Sequence, residues 1–213
     1  MRTLTALLSL ALIGAPAALC AHPHVFVDTG LRLVLDDQRR VTGVEVTWKY
    51  DDLYSLLVMQ DMGLDDDGDG ALTPAELAQI DGWDMNWIEG YEGDLYLSTS
   101  EGAPIALAPP TPLSTEVEDG RLVSRHLRPL ASPVAADGLV LRAFDPEFYT
   151  AYDLTLGIDL PPACKADVTL PDKGDAYREA QEIMAAFPED AEEVPLLGHV
   201  FAETVSVTCA SAG

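Results

Sequence analysis

Apolar and polar positions alternate from the first described strand candidate onward. Val25 and Val27 interleave with His24, Phe26 and Asp28, and LRLVL follows at 31–35, which predicts a strand over 22–35. A polar turn at 36–40 precedes VTGVEVTWKY at 41–50, which resumes the alternation and predicts a hairpin. From Asp51 the period lengthens. Leu53, Leu56, Leu57 and Met59 recur at helical spacing to about Met62, and a second helix is predicted over 74–87, with Leu77, Ile80, Asp84 and Trp87 on one face. Beyond Gly93 short extended runs return (DLYLSTS, PIALA, EVEDGRLVSRHL, GLVLRAF, YDLTLGIDL, CKADVTL), punctuated by Asp119 with Gly120 and Asp137 with Gly138. A polar helix over 175–187 and a last strand, HVFAETVSVTC over 199–209, complete the pattern. No repeat or long linker interrupts it. The predicted class is α+β: a mainly antiparallel, β-sandwich-like body with a helix–loop–helix inserted at about 51–90.

Residues 1–21 break the alternation. Arg2 precedes an apolar run over 4–13, too short to span a bilayer, and small residues follow at Ala15, Ala17, Ala18 and Ala21. This is the pattern of a secretory signal peptide. Cleavage is expected after Ala21, with Ala18 as the rival position. Lipid attachment at Cys20 fits poorly because Leu19 stands before it. Residues 22–213 then form one exported domain, soluble and periplasmic. No later apolar run is long enough to cross a membrane.

Charge sharpens the expectation. The chain carries 36 acidic and 12 basic residues, a formal charge of −24. Nucleic acid and anionic membrane surfaces would repel it, and multivalent cations would be drawn to it, although solubility alone accounts for much of the excess. With Cys20 removed, Cys164 and Cys209 remain. Two cysteines in an exported chain most simply form a disulfide; a two-thiolate metal site suits an oxidising compartment less.

The acidic loop DDDGDGALTPAEL carries the most specific chemistry. Its spacing is Asp65-x-Asp67-x-Asp69-Gly70-x5-Glu76, a full match to the calcium-binding loop of an EF-hand. Asp65, Asp67 and Asp69 offer hard oxygens at alternate positions, and Gly70 allows the sharp turn. Ala71 supplies a backbone carbonyl, Thr73 a direct or water-borne oxygen, and Glu76 two oxygens that close the shell. Thr73 and Glu76 also form a Thr-x-x-Glu capping pair, with Pro74 at the first helical position. Leu72 is expected to point between the flanking helices. The loop is the only one of its kind in the sequence. That favours a structural ion, with an affinity on the order of 10⁻⁴–10⁻³ M, over a cooperative sensor.

His22, Pro23 and His24 raise a second metal. In extended chain, residues two apart face the same side, and proline biases its predecessor toward that conformation. If His22 is the first residue, its α-amine and imidazole join the His24 imidazole in a brace suited to copper, with nickel, cobalt or zinc as other ions for such donors. Pro23 lacks the amide hydrogen that the common planar amino-terminal copper/nickel site uses. The plainer reading is a solvated strand end. His126 and His199, the other two histidines, either complete such a site or are ordinary structural residues.

Together, HPHVFVD, WKYDDLYS before the acidic loop, AFDPEFYTAYDLTL and the closing HVFAETVSVTC resemble the domain of unknown function 1007 family over essentially the whole exported chain. The resemblance implies an exported bacterial protein of the kind labelled a periplasmic component of ABC-type transport systems, often associated with nickel/cobalt-type transporters. Asp145 and Tyr149 match its central motif without an assignable role. Three functions compete. The first is a periplasmic accessory that binds a transition metal for a membrane transporter, with calcium as a structural ion. The second is a calcium-stabilised interaction module. The third, an oxidative enzyme built on a copper brace, ranks last because no nucleophile–base arrangement is recognisable, and the chain is read as a non-enzyme.

Overall fold

Val25, Val27, Thr29, Leu31 and Leu33 are buried along β1 (Val25–Leu35), while Phe26 and Arg32 between them are exposed. In this computed structural model, which describes residues 23–188, 191 and 194–210, β1 pairs antiparallel with β2 (Val41–Tyr50). The predicted signal peptide at 1–21 and His22 lie outside the described residues. Val27 stands opposite Tyr50 and Leu31 opposite Val46, so the apolar sets of both strands share one face. Arg32 and Glu45 pair on the other.

β6 (Arg121–Val134) adds to the free edge of β2, and β5 (Thr111–Glu118) adds to β6. On the far side β8 (Thr150–Asp159) runs parallel to β1, giving the order β5-β6-β2-β1-β8. The second sheet, β4 (Pro104–Ile105), β3 (Leu95–Thr99), β7 (Leu139–Ala143), β10 (Thr204–Cys209) and β9 (Cys164–Thr169), is antiparallel throughout. Val27, Leu31, Val46 and Leu122 of the first sheet join Leu97, Leu141, Val205 and Val207 of the second in one apolar cluster. The expected α+β, mainly antiparallel sandwich is present, with the β1–β8 pair as its parallel exception.

The insertion leaves β2 at Asp51, whose carboxylate accepts from Tyr54 N–H to cap α1 (Asp52–Asp61) and from Phe26 N–H to tie that helix to β1. Met59 and Ile80 are buried, and Ser55 Oγ accepts from Leu122 N–H, so the insertion is seated on β6. The second helix is shorter than its periodicity predicts. α2 spans Pro74–Ile80; the chain breaks at Gly82, at φ 67°, and a 3-10 turn follows at Trp83–Met85. Gly82 N–H donates to Thr115 Oγ1, a bond available only because the helix has ended.

The C-terminal expectation also needs correction. α3 (Lys173–Ala186) matches, but His199 does not begin a strand. It lies in the short helix α4 (Gly198–Phe201), and β10 begins five residues later at Thr204. Gly198 N–H bonds to Pro146 O at 3.0 Å, which turns the chain before it can enter the sheet. Cys164 and Cys209 face each other across β9 and β10 and form the expected disulfide. Its loop of 45 residues corresponds to roughly 4 kcal/mol in the chain-entropy account. Such a bond suits an oxidising compartment. Among the described residues no helix is long and apolar enough to cross a membrane.

Candidate functional site

The acidic loop joins α1 to α2. One oxygen from each of Asp65, Asp67 and Asp69 lies within 4.8 Å of the others, and among the described residues this is the group of three His, Cys, Asp or Glu side chains that could hold an ion. The backbone is wound for it. Asp65 sits at φ 57°, Gly68 at 67° and Gly70 at 76°. Asp65 Oδ1 accepts from the N–H groups of Asp69 and Gly70, and Asp69 Oδ1 from Ala71 N–H. Glu76 joins the two ends: Oε1 accepts from Asp65 N–H at 3.1 Å and Oε2 from Thr73 N–H at 2.8 Å, while Thr73 Oγ1 caps α2. The Thr73 hydroxyl and the two N–H groups hold the Glu76 carboxyl below its usual pKa. Asp67, Asp69, Ala71, Thr73 and Glu76 line one small cavity. Three hard aspartate oxygens this close fit a hard divalent cation, while Glu76, whose oxygens accept backbone N–H groups, stands outside that group.

The three histidines among the described residues are dispersed. His24 is exposed just before β1; its N–H bonds to Tyr149 O at 2.8 Å and its ring lies 4.9 Å from that of Tyr149. His126 is fully buried on β6, edge-on to Trp48 and Trp87, and neither ring nitrogen has a hydrogen-bond partner. Burial, reinforced by the Arg128 charge, lowers its pKa to about 3, so the ring is neutral. His199 lies in α4, 6.5 Å from the Phe144 ring, and its carbonyl accepts from Arg142. Among the described residues, no two histidines join a third ligand in one cluster.

A second constellation lies where the insertion meets the sandwich. Asp84, in the 3-10 turn, accepts at Oδ2 from the hydroxyls of Tyr50 (2.8 Å) and Ser124 (2.5 Å). Asp94, one residue before β3, accepts at Oδ2 from the hydroxyls of Tyr91 (2.8 Å) and Tyr152 (2.9 Å). In both carboxylates Oδ1 is buried and receives no donor. Burial raises both pKa values against the help of those hydroxyls, that of Asp94 to about 6. Both line a cavity of about 430 Å³ walled by Trp48, Trp83, Trp87 and several tyrosines. Behind the wall the Arg128 guanidinium sits 4.6 Å over the Trp87 ring and donates to Glu92 O and Ala108 O. Gly93 makes this sandwich possible, since a Cβ there would come within 2.2 Å of Trp87 and 2.3 Å of Arg128.

Asp145 and Tyr149 acquire a structural setting. Asp145 caps its own turn, accepting from Glu147 N–H and Thr150 N–H, and its carbonyl accepts from Phe148 N–H. Tyr149, half exposed, reaches the cavity rim. The pairing of Asp84 with Tyr50 and Ser124, and the whole role of Asp94, were not legible from sequence. The one available signal was Asp84 on the otherwise apolar face it shares with Ile80 and Trp87.

Comparison with known proteins adds one match. A family described as "Protein of unknown function (DUF1007)" matches residues 7–209. No curated protein and no solved structure matches.

Proposed function

The chain belongs to the DUF1007 family, and from that premise we propose an exported calcium-binding protein whose ion orders the inserted helix–loop–helix and thereby the wall it adds to the sandwich. One observation carries this reading: three aspartate oxygens lie within 4.8 Å in a loop whose Glu76 carboxylate accepts from the N–H of its first residue, Asp65. Without a cation, clustered carboxylates repel. With one, α1 and α2 are clamped, and the turn that follows delivers Trp83 and Asp84 to the core. The reading predicts saturable calcium binding at 10⁻⁴–10⁻³ M by order of magnitude, with a thermal midpoint that falls on chelation. Absence of both the calorimetric signal and the midpoint shift rejects it.

A second ion, copper, nickel, cobalt or zinc, is proposed at His22 and His24, in the service of a membrane transporter in the periplasm. The supporting observation is His24 itself, exposed one residue before β1, with its backbone anchored to Tyr149. Titration with each metal, repeated on His24→Ala, tests it. Equal binding by both proteins removes the transport-accessory reading and leaves a calcium-stabilised interaction module.

A further inference from the structure

The cavity between insertion and sandwich has the chemistry of a receptor, and none of its lining residues belongs to either ion site. Two of its three carboxylates, Asp84 and Asp94, each have one oxygen held by two hydroxyls and one buried oxygen without a donor, while the third, Asp145, accepts a backbone N–H at each oxygen. Asp94 is only 5 % exposed, so this is a built feature of the interior. A buried acceptor left unpaired costs about 1–3 kcal/mol, and a carboxylate rotation that brings it to the cavity surface lets a ligand supply the donor. The walls are aromatic: all three tryptophans of the chain, Trp48, Trp83 and Trp87, line the space. Aromatic faces and carboxylates together attract cations, and the net charge of −24 brings cations near. The volume, about 430 Å³, suits a small organic molecule.

We propose that this cavity binds a small organic cation bearing ammonium N–H donors, a protonated amine or diamine, with Asp84 and Asp94 as its acceptors and the tryptophans as its walls. A bare metal ion fits less well. One oxygen of each carboxylate is already committed to hydroxyl donors, and no cluster of three ligand atoms within 4.8 Å forms here among the described residues. A quaternary ammonium would satisfy the rings and leave both orphan oxygens unpaired.

Because every tryptophan borders the cavity, intrinsic fluorescence of the exported protein reports it directly. Titration with 1,4-diaminobutane and butylamine in calcium buffer is expected to give a saturable change. Tetramethylammonium should bind at least tenfold more weakly. Asp94→Asn should weaken the amine at least tenfold, and Tyr149→Ala, a substitution at the half-exposed rim, should weaken it severalfold. No saturable change, equal response to tetramethylammonium, or a response unaltered in both variants overturns the proposal. So does displacement of the amine by micromolar zinc or nickel alone, which would assign the cavity to a metal. Calcium-loop variants that fail to bind calcium but still bind the amine would separate this inference from the calcium reading.

Discussion

The phenol of Tyr152 donates to Asp94 Oδ2 across 2.9 Å, joining the parallel edge strand of one sheet to the residue that opens β3 of the other. Tyr91 donates to the same oxygen from the insertion. A single carboxylate thus sits where three parts of the chain meet, and its protonation is coupled to folding.

Burial lifts the Asp94 pKa to about 6, from 3.8 in the unfolded chain. Between those values the fold holds a proton that the unfolded chain has lost, so this residue's contribution to stability falls as pH rises through the window and stays low above it. Asp94→Asn abolishes that titration. Urea unfolding at pH 4 and pH 7 should show the wild type losing ground to the variant by up to about 3 kcal/mol. A difference that does not change with pH contradicts the coupling.

His126 has the opposite sign. Its pKa is about 3 in the fold and 6.5 unfolded. Below 6.5 the unfolded chain takes up a proton that the fold refuses, so stability is lost as pH falls toward 3. His126→Leu also removes two unpartnered ring nitrogens at the expense of contacts with Trp48 and Trp87. Expected is a stability within about 1 kcal/mol of wild type at pH 7 and a clear advantage for the variant at pH 4. Parallel acid profiles for the two proteins would refute it.

Thr73 and Glu76 separate the helix cap from the proposed ion site. Thr73→Ala removes the cap of α2 and should cost about 1 kcal/mol in chelator, with a smaller loss of the calcium response than Glu76→Gln gives. Glu76→Gln should abolish most of the calcium-dependent rise in thermal midpoint. Calorimetry in calcium and in chelator separates the two effects; an unchanged calcium response in Glu76→Gln excludes Glu76 as a ligand.

Gly198 tests the C-terminal dock. A Cβ there would lie 1.7 Å from Asp145 O, so the turn at 145–148 and α4 must part. Gly198→Ala should destabilise by about 1–3 kcal/mol or more, and Gly93→Ala, which drives a methyl into Trp87 and Arg128, by a similar amount. Tolerance of Gly198→Ala at wild-type stability would show that this close approach is not maintained in solution.

Much of the protein is written in short-range spacing. The β1–β2 hairpin, the capped helices flanking the acidic loop, and the alternate aspartates closed by Glu76 depend on residues a few positions apart, so period and pattern expose them. The disulfide was readable for another reason: once export is assumed, two cysteines have one pairing. Helix length was less legible, because Gly82 ends α2 to reach Thr115, a partner 33 residues away.

By itself, then, the sequence determined the sandwich class, the insertion and the oxygen-rich loop, all of them consequences of local periodicity and ligand spacing. Tertiary structure alone decided that β8 joins β1 in parallel, that His199 lies in a helix, and that Asp84 and Asp94 receive hydroxyls from Tyr50, Ser124, Tyr91 and Tyr152. The carboxylate contacts link residues up to 58 positions apart. The physical reason is that a carboxylate's partners, its burial and hence its proton affinity are set by whatever the fold packs around it, and no spacing along the chain encodes that neighbourhood.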